Sequence, residues 1–327
     1  MKHGPPPPSP YGTFSGELFT YRSPMPSLIA FESSPPSLAV SDCKNKCILL
    51  GGLSDGPIPT PYAKALETKC HELGWSLVQP VLSSSYLGFG TGTLGRDTAE
   101  LCELLDYLCA HRGGESYALV GHSTGCQNGV HFLGNAAAAD DAGNIYAEKM
   151  KVVALQAPVS DREDAMLGPG YRTNIDRARA LAAEGREDEM MPRSTFWAPV
   201  TARRFLDLQD RRPPEGKGGM DDYFSSDLTD EQMSERLGHV GKLGEKTGLK
   251  VLVAFSGEDE YVPEKVDKRQ LLDRMCAAMN GYSKGNENEG ITAIPLLLES
   301  GNHNLGKGDG EKELFVEELG KLLKGVK

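Results

Sequence analysis

The sequence predicts an α/β protein in which a mostly parallel, doubly wound β-sheet carries a helical cap insertion. Short apolar runs typical of buried strands alternate with helical spacing along most of the 327 residues. This alternation indicates a parallel sheet with helices on both faces. Between residues 160 and 247 the alternation stops, and a charged segment of helical character without a clear strand takes its place. With 39% hydrophobic residues, the chain can bury the core that such a fold needs.

The individual elements follow from the period of the apolar residues. The predicted strands are residues 16–22, 27–33, 47–50, 75–82, 117–120, 151–156, 250–255 and 291–298. The predicted helices outside the insertion are residues 61–73, 98–112, 124–133, 264–279 and 310–323. The first two strands are separated by prolines, and we expect them to form a hairpin at one edge of the sheet.

The predicted domain organisation has three parts. Residues 1–14 are expected to form a flexible, proline-rich tail, which contains no apolar stretch resembling a signal peptide. Residues 15–159 and 248–327 form the core, and residues 160–247 form the cap. The insertion is too long for a simple connection between two strands, which favours a lid over the site.

Composition restricts the location and the partners of the protein. The net charge of −11 opposes binding to nucleic acid or to anionic lipid. No apolar run approaches the roughly 20 residues that span a bilayer. The seven cysteines are odd in number and scattered, which indicates reduced thiols in the cytoplasm. Cys43 and Cys47 lack neighbouring ligands that would complete a zinc site, so we expect no metal.

Ser123 is the candidate nucleophile. Residues 121–125 (GHSTG) match the G-x-S-x-G pattern, in which the serine lies on a sharp turn between a strand and a helix. The glycines are needed because the strained turn leaves no room for side chains beside the serine. A plain turn with an incidental serine is the alternative. The predicted strand before the pattern and the helix after it favour the nucleophile.

His303 is the candidate general base. It lies in the segment 299–304 (ESGNHN), directly after the last predicted strand. In a doubly wound sheet this loop opens at the carboxyl ends of the strands, at the same edge as Ser123. The other six histidines are expected in the tail, near helix ends, on a helix, in the cap, or, for His122, pointing away from the serine.

Asp259 is the candidate carboxylate that orients His303. Its loop, residues 257–263 (GEDEYVP), follows a predicted strand and resembles the acid loop of many α/β-hydrolases. Asp161, which follows an earlier strand, is the alternative acid. The chain order serine, aspartate, histidine is the order expected for that fold.

Two backbone N–H groups must stabilise the oxyanion of the tetrahedral intermediate. We expect one from Thr124, directly after the serine. The other is expected from Leu53 in the glycine-rich segment 51–56 (GGLSDG), with Ser54 as the alternative. An ordinary glycine-rich turn is the competing interpretation of that segment.

The segment 83–90 (SSSYLGFG) is expected to form a loop at the rim of the site, where Ser85 and Tyr86 contact the substrate. Residues 90–95 (GTGTLG) match the dinucleotide pattern G-x-G-x-x-G. That pattern needs its first glycine at the end of the strand, whereas here several residues intervene. We therefore expect no cofactor.

Four segments together resemble a branch of the α/β-hydrolases found in fungi and plants. They are GGLSDG at 51–56, SSSY at 83–86 with glycines at 88 and 90, GHSTGCQ at 121–127 and GNH at 301–303. The family includes a fungal esterase that hydrolyses hydroxamate siderophores of the fusarinine type. The resemblance runs from about residue 15 to the end and is weakest in the cap. It implies the α/β-hydrolase fold with a triad on Ser123, Asp259 and His303.

These observations predict a serine esterase that cleaves a small-molecule carboxylic ester through a Ser-His-Asp triad and an acyl-enzyme. A thioesterase or amidase, or a non-hydrolytic lyase, cyclase or transferase, is possible on the same fold. A non-catalytic receptor or scaffold is the alternative of another class. No residue ties the siderophore substrate to this chain, and the oligomeric state is left open.

Overall fold

One mixed β-sheet forms the centre of the protein. The structure, a computed structural model, describes residues 11–138, 145–211, 218–281, 291–307 and 310–326. Within these ranges the strands are β1 (Glu17–Arg22), β2 (Leu28–Ser33), β3 (Asn45–Leu50), β4 (Trp75–Val81), β5 (Ser116–His122), β6 (Met150–Gln156), β7 (Lys250–Ser256) and β8 (Ala293–Leu298). Their spatial order is β1-β2-β4-β3-β5-β6-β7-β8. The pairs β1–β2 and β2–β4 are antiparallel, and the pairs from β4 across to β8 are parallel. The predicted α/β class and the predicted edge hairpin are confirmed.

Helices cover both faces of the sheet. In the described part of the chain they are α1 (Ala63–Glu72), α2 (Leu94–His111), α3 (Thr124–Asn135), α4 (Ile145–Lys149), α5 (Asp161–Ala165), α6 (Tyr171–Ala183), α7 (Ala202–Gln209), α8 (Asp230–Thr247), α9 (Lys268–Asn280) and α10 (Gly310–Lys324). On one face lie α1 and α10, where Tyr62 packs edge-on against Phe315. The other face is covered by α2, α3, α8 and α9.

The residues of β3 show why the central strands read as continuous apolar runs. Cys47 and Leu49 belong to the core under α1 and α10, whereas Ile48 and Leu50 belong to the core under α2 and α3. Successive side chains of a strand point to opposite faces. A strand that is covered on both faces is therefore apolar at every position.

A buried ion network lies at the start of β3. Lys46 and Glu32 are both 0% exposed, and Nζ of Lys46 lies 2.6 Å from Oε1 of Glu32. Glu32 also accepts hydrogen bonds from Nε of Arg112 at 2.5 Å and from Oγ of Ser76 at 2.7 Å. The strand begins earlier than the apolar run at residue 47, because this pairing compensates the burial of charged side chains.

The insertion lies between β6 and β7. Its helices α6 and α7 share a small apolar cluster that includes Ile175 and Phe205. In contrast, α8 packs on α3 and α9, and its residues Leu237 and Val240 belong to the core of the sheet. This packing differs from the predicted cap at 160–247 and favours a cap that ends before α8. The division of the chain into core and cap stays a prediction.

Two sequence predictions concern the N-terminal tail and the absence of a membrane span. Of the predicted flexible tail at residues 1–14, positions 1–10 lie outside the described residues. Among the helices in the described ranges, none is both long and apolar enough to cross a membrane.

Candidate active site

Ser123 lies on a sharp turn between β5 and α3. Its backbone has φ 53° and ψ −122°, a conformation that residues other than glycine adopt only under strain. The turn is tight, since a Cβ atom on Gly121 would lie 2.2 Å from the carbonyl oxygen of Gly125. The N–H of Ser123 donates to the carbonyl oxygen of Gln156 on β6 at 3.0 Å. Sterics therefore require glycine at 121, and the neighbouring strand holds the strained serine in place.

His303 and Asp259 form a hydrogen-bonded pair at the same edge of the sheet. Nδ1 of His303 lies 2.9 Å from Oδ2 and 3.0 Å from Oδ1 of Asp259, whose carboxylate is buried. Oδ1 also accepts the backbone N–H of Tyr261 at 3.0 Å. A carboxylate beside Nδ1 favours the tautomer with its proton on that nitrogen, which is the arrangement a general base requires. The alternative acid, Asp161, instead accepts a long hydrogen bond of 3.5 Å from Gln127.

Ser123 and His303 line one cavity of about 470 Å³ at the carboxyl edge of the sheet. The insertion contributes Phe196 and Trp197 to its wall. Trp197 packs on Phe89 of the core, with ring centroids 5.3 Å apart. The cavity is therefore bounded by the sheet edge on one side and by aromatic side chains of the insertion on the other.

Gln156 connects the end of β5, before Ser123, with the loop that carries His303. Its Nε2 donates to the carbonyl oxygen of His303 at 3.0 Å, and its Oε1 lies 2.7 Å from Nδ1 of His122. Burial lowers the pKa of His122 to about 3, so that ring is neutral. It lies against the ring of His303, with centroids 4.9 Å apart. His122 thus lines the cavity, and the direction of its ring relative to Ser123 stays a prediction.

The segment 51–56 passes close to Ser123. A Cβ atom on Gly52 would lie 2.9 Å from Cβ of Ser123. The N–H of Gly52 is already used, because it donates to Oδ2 of Asp55 at 2.8 Å. Among the described residues, the N–H groups of Leu53 and Thr124 have no acceptor. This leaves the two predicted oxyanion donors beside the serine with unused N–H groups.

Ser85 and Tyr86 are both predicted at the rim of the site, but of the two only Ser85 lines one of the two cavities. Oγ of Ser85 accepts the N–H of Leu82 at 3.0 Å, and Ser85 lines a second, smaller cavity next to Leu53. Tyr86 lines neither of these two cavities. Its ring packs against Gly56, where a Cβ atom would lie 2.4 Å from the ring. Tyr86 therefore supports the segment 51–56 from outside.

Carboxylates dominate the charge of the larger cavity, which is lined by Asp55, Asp161, Asp164 and Glu260. Burial raises the pKa of Asp55 and of Asp164, and raises that of Asp161 to about 7. Burial acts on Glu260 in the same direction, but the hydrogen bond from the backbone N–H of His303 contributes to a net lowering of its pKa. In the part of the chain that the structure describes, no three His, Cys, Asp or Glu side chains are grouped to hold a metal ion.

Sequence reasoning did not identify Gln156, Tyr261 or the aromatic residues of the insertion. Gln156 is 0% exposed and lies within an apolar strand, where a polar residue at the end of the run is the only available signal. Phe196 and Trp197 lie in a segment without periodicity, so no pattern placed them near Ser123. The ring centroids of Tyr261 and His303 lie 4.6 Å apart. The sequence pattern of this loop indicates a role only for its acidic residues.

Comparisons with known proteins agree with this architecture. The solved siderophore hydrolase EstB from Aspergillus fumigatus has a TM-score of 0.74 and 29% identity, covering 97% of this chain and 99% of that one. Fusarinine C esterase sidJ from Aspergillus fumigatus is 32% identical, over 92% of each chain. Esterase AN6793 from Emericella nidulans is 31% identical, over 88% of this chain and 86% of that one. The protein is an α/β-hydrolase and, by class, a carboxylic ester hydrolase.

The family follows from a match over nearly the whole chain. The model of the family described as "Protein of unknown function (DUF1749)" matches residues 6–324. The chain belongs to this DUF1749 family. The resemblance to the family of a fungal fusarinine-type siderophore esterase is confirmed by these relatives.

Proposed function

We propose that the protein cleaves the carboxylic ester of a small molecule through a triad of Ser123, His303 and Asp259. The observation that carries this proposal is the pairing of Nδ1 of His303 with the buried carboxylate of Asp259, in one cavity with a serine on a strained turn. Nucleophile, base and orienting acid then have the roles that acyl transfer requires.

The reaction proceeds in two halves. Oγ of Ser123 attacks the ester carbonyl while Nε2 of His303 takes its proton, and Asp259 stabilises the imidazolium that forms. His303 then gives this proton to the leaving alcohol, and an acyl-enzyme results. Water activated by the same histidine attacks the acyl-enzyme and releases the acid, which restores the serine.

The N–H groups of Leu53 and Thr124 stabilise the oxyanion in both halves. Thr124 is the first residue of α3, so the positive end of the helix dipole adds to its N–H group. Asp55 supports the arrangement by binding the N–H of Gly52, which holds the turn before Leu53. A single donor of this kind contributes about 10²–10³-fold to kcat in serine hydrolases.

The size of the cavity supports a small-molecule substrate. Its volume of about 470 Å³ lies within the range of about 300–1,000 Å³ that is usual for small-molecule sites. One relative is named a fusarinine C esterase and another a siderophore hydrolase, which supports hydrolysis of an ester. We also propose a cytoplasmic location, because all seven cysteines are free thiols.

Labelling with a fluorophosphonate probe tests the proposal. We expect the probe to modify Ser123, and Ser123→Ala to abolish labelling and to lower ester hydrolysis by about 10⁵–10⁶-fold. Ser160→Ala is the matched control, since Ser160 lines the same cavity outside the triad, and it should still be labelled at Ser123. Undiminished esterase activity in Ser123→Ala would refute the triad.

A further inference from the structure

A second, inner pocket lies behind the segment 51–56. It measures about 40 Å³ and shares Gly52, Leu53 and Asp55 with the larger cavity, so the two adjoin at the oxyanion donors. Three helices contribute polar side chains to its wall, namely Asp97 on α2, Asn128 on α3 and Arg204 on α7, and residues such as Pro80 and Ser85 complete it. The inner pocket therefore lies where the core meets α7 of the insertion.

Four residues that line this inner pocket each have a buried polar atom without a hydrogen-bond partner. In the described part of the chain, the buried atoms without a hydrogen-bond partner include Oδ1 of Asp97, Oγ1 of Thr124, Oδ1 of Asn128 and Nε of Arg204. These four residues are only 4–8% exposed. Buried polar atoms are normally paired, because an unpaired one loses its hydrogen bonds to water and gains none in return. Four such residues around one small pocket suggest a site for a polar group.

The charges around the inner pocket define that group. Asp55 and Asp97 contribute carboxylates, whereas Arg204 is already paired with Asp221 through Nη1 at 2.8 Å. A carboxylate in the pocket would be repelled by Asp97, and an ammonium could not accept a hydrogen bond from Nε of Arg204. A hydroxyl group donates one hydrogen bond and accepts two, so it can satisfy the carboxylate and the guanidinium together.

The position of the inner pocket assigns this hydroxyl to one half of the substrate. His303 gives its proton to the leaving alcohol, so the alcohol must lie on the side of His303. His303 lines the larger cavity but not the inner pocket. The inner pocket lies on the oxyanion side of Ser123, where the acyl part is the half within reach.

We propose that the inner pocket binds a hydroxyl group on the acyl part of the substrate, so that the enzyme prefers hydroxyacyl esters. This inference rests on the proposed esterase function.

A series of p-nitrophenyl esters tests the preference on the wild-type enzyme. The acyl chains should have a range of lengths and end in a hydroxyl, methyl, ammonium or carboxylate group. At one chain length we expect kcat/KM for the hydroxyl ester to exceed that of its methyl counterpart by about tenfold or more, with the carboxylate ester poorest. A methyl ester that is hydrolysed as well as the hydroxyl ester at every length would overturn the inference and leave the esterase function standing. If no ester is cleaved and Ser123 is not labelled, both proposals fail.

Variants separate recognition from general damage. Asp97→Leu should reduce the hydroxyl-to-methyl ratio of kcat/KM toward one while methyl esters are still cleaved. Asp207→Leu is the matched control, because Asp207 is also buried and close to the charge of Arg204 but does not line the inner pocket. Its ratio should equal that of the wild type. An unchanged hydroxyl-to-methyl ratio in Asp97→Leu argues against the inner pocket as the recognition site. An equal loss of this ratio in Asp207→Leu argues against it as well. If Asp97→Leu does not fold, the wild-type series decides.

Discussion

The hydrogen bonds between His303 and Asp259 determine which imidazole nitrogen carries a proton. In Asp259→Asn, the side-chain amide donates to Nδ1, and the proton moves to Nε2, where the base is needed. We expect kcat for a model ester to fall about 10⁴-fold in a variant that still folds. Steady-state kinetics measures kcat, and thermal unfolding shows whether the variant folds.

Asp161→Asn provides the comparison for this change. Asp161 lines the same cavity but is hydrogen-bonded to Gln127 and not to His303. Its substitution leaves the pair of His303 and Asp259 intact, so the loss in kcat should be less than about tenfold. Equal losses in the two variants would show that Asp161 shares the role of the acid.

Asp207, buried on α7, makes stability depend on pH. Burial, with Asp221 nearby, raises the pKa of Asp207 from 3.8 to about 6. Between these values the folded state binds a proton that the unfolded chain has released, so the contribution of this group to stability falls as pH rises. We expect Asp207→Asn to raise Tm by a few degrees at about pH 8 but not at about pH 4. Calorimetric unfolding at both pH values checks this, and an equal gain at both would contradict it.

At the scale of the element, the buried ion network fastens the edge hairpin to the parallel sheet. Glu32 on β2 pairs with Lys46 on β3 and with Arg112 beyond the end of α2. Glu32→Ala leaves Lys46, which is 0% exposed, without its carboxylate. We expect a loss of about 3–5 kcal/mol in the free energy of unfolding, measured by urea titration.

An exposed ion pair provides the comparison for the loss of stability in Glu32→Ala. Glu103 is 42% exposed in its pair with Arg22, so Glu103→Ala should cost less than about 1 kcal/mol. Similar losses for the two variants would mean that the buried network contributes no more than an exposed ion pair.

The elements differ in how far the sequence predicts them. The central strands are covered on both faces, so their residues form unbroken apolar runs that are easily recognised. Lys46 broke the pattern because its charge is compensated by Glu32 from another strand, which no local pattern contains. The helix α2 begins at Leu94 and not at residue 98, because Thr93 caps it by accepting the N–H of Arg96.

The residues of the candidate site also differ in how far the sequence predicts them. Ser123, Asp259 and His303 follow the carboxyl ends of three strands, and parallel topology alone brings these positions to one edge. Gln156, the inner pocket and the aromatic wall depend on contacts between distant segments. The predicted cap at 160–247 includes α8, because the spacing of apolar residues in a helix does not reveal which partner the helix packs against.

At the scale of the whole molecule, the aromatic residues of the insertion shape access to the cavity. Trp197 is 64% exposed and packs on Phe89 and Phe196, with centroids 5.3 Å and 5.5 Å away. We expect Trp197→Ala to lower kcat/KM for bulky esters by about tenfold, mainly through KM, with little change in Tm, since it removes contact area and not core packing. Kinetics with esters of graded size measures this.

Trp197→Phe is the conservative control and should retain most of the kcat/KM that Trp197→Ala loses for bulky esters, because it keeps an aromatic surface beside Phe89. If Trp197→Ala lowers kcat for small and bulky esters equally, the residue acts on the chemistry and not on access.

The backbone of Ser123 has a consequence for how this sequence can change over time. Glycine accepts the conformation at φ 53° without strain, so a mutational drift governed by folding alone would favour glycine at this position. A serine there is maintained only while its hydroxyl is used. In a descendant that lost its chemistry and kept only binding, position 123 would be among the first to be released from selection.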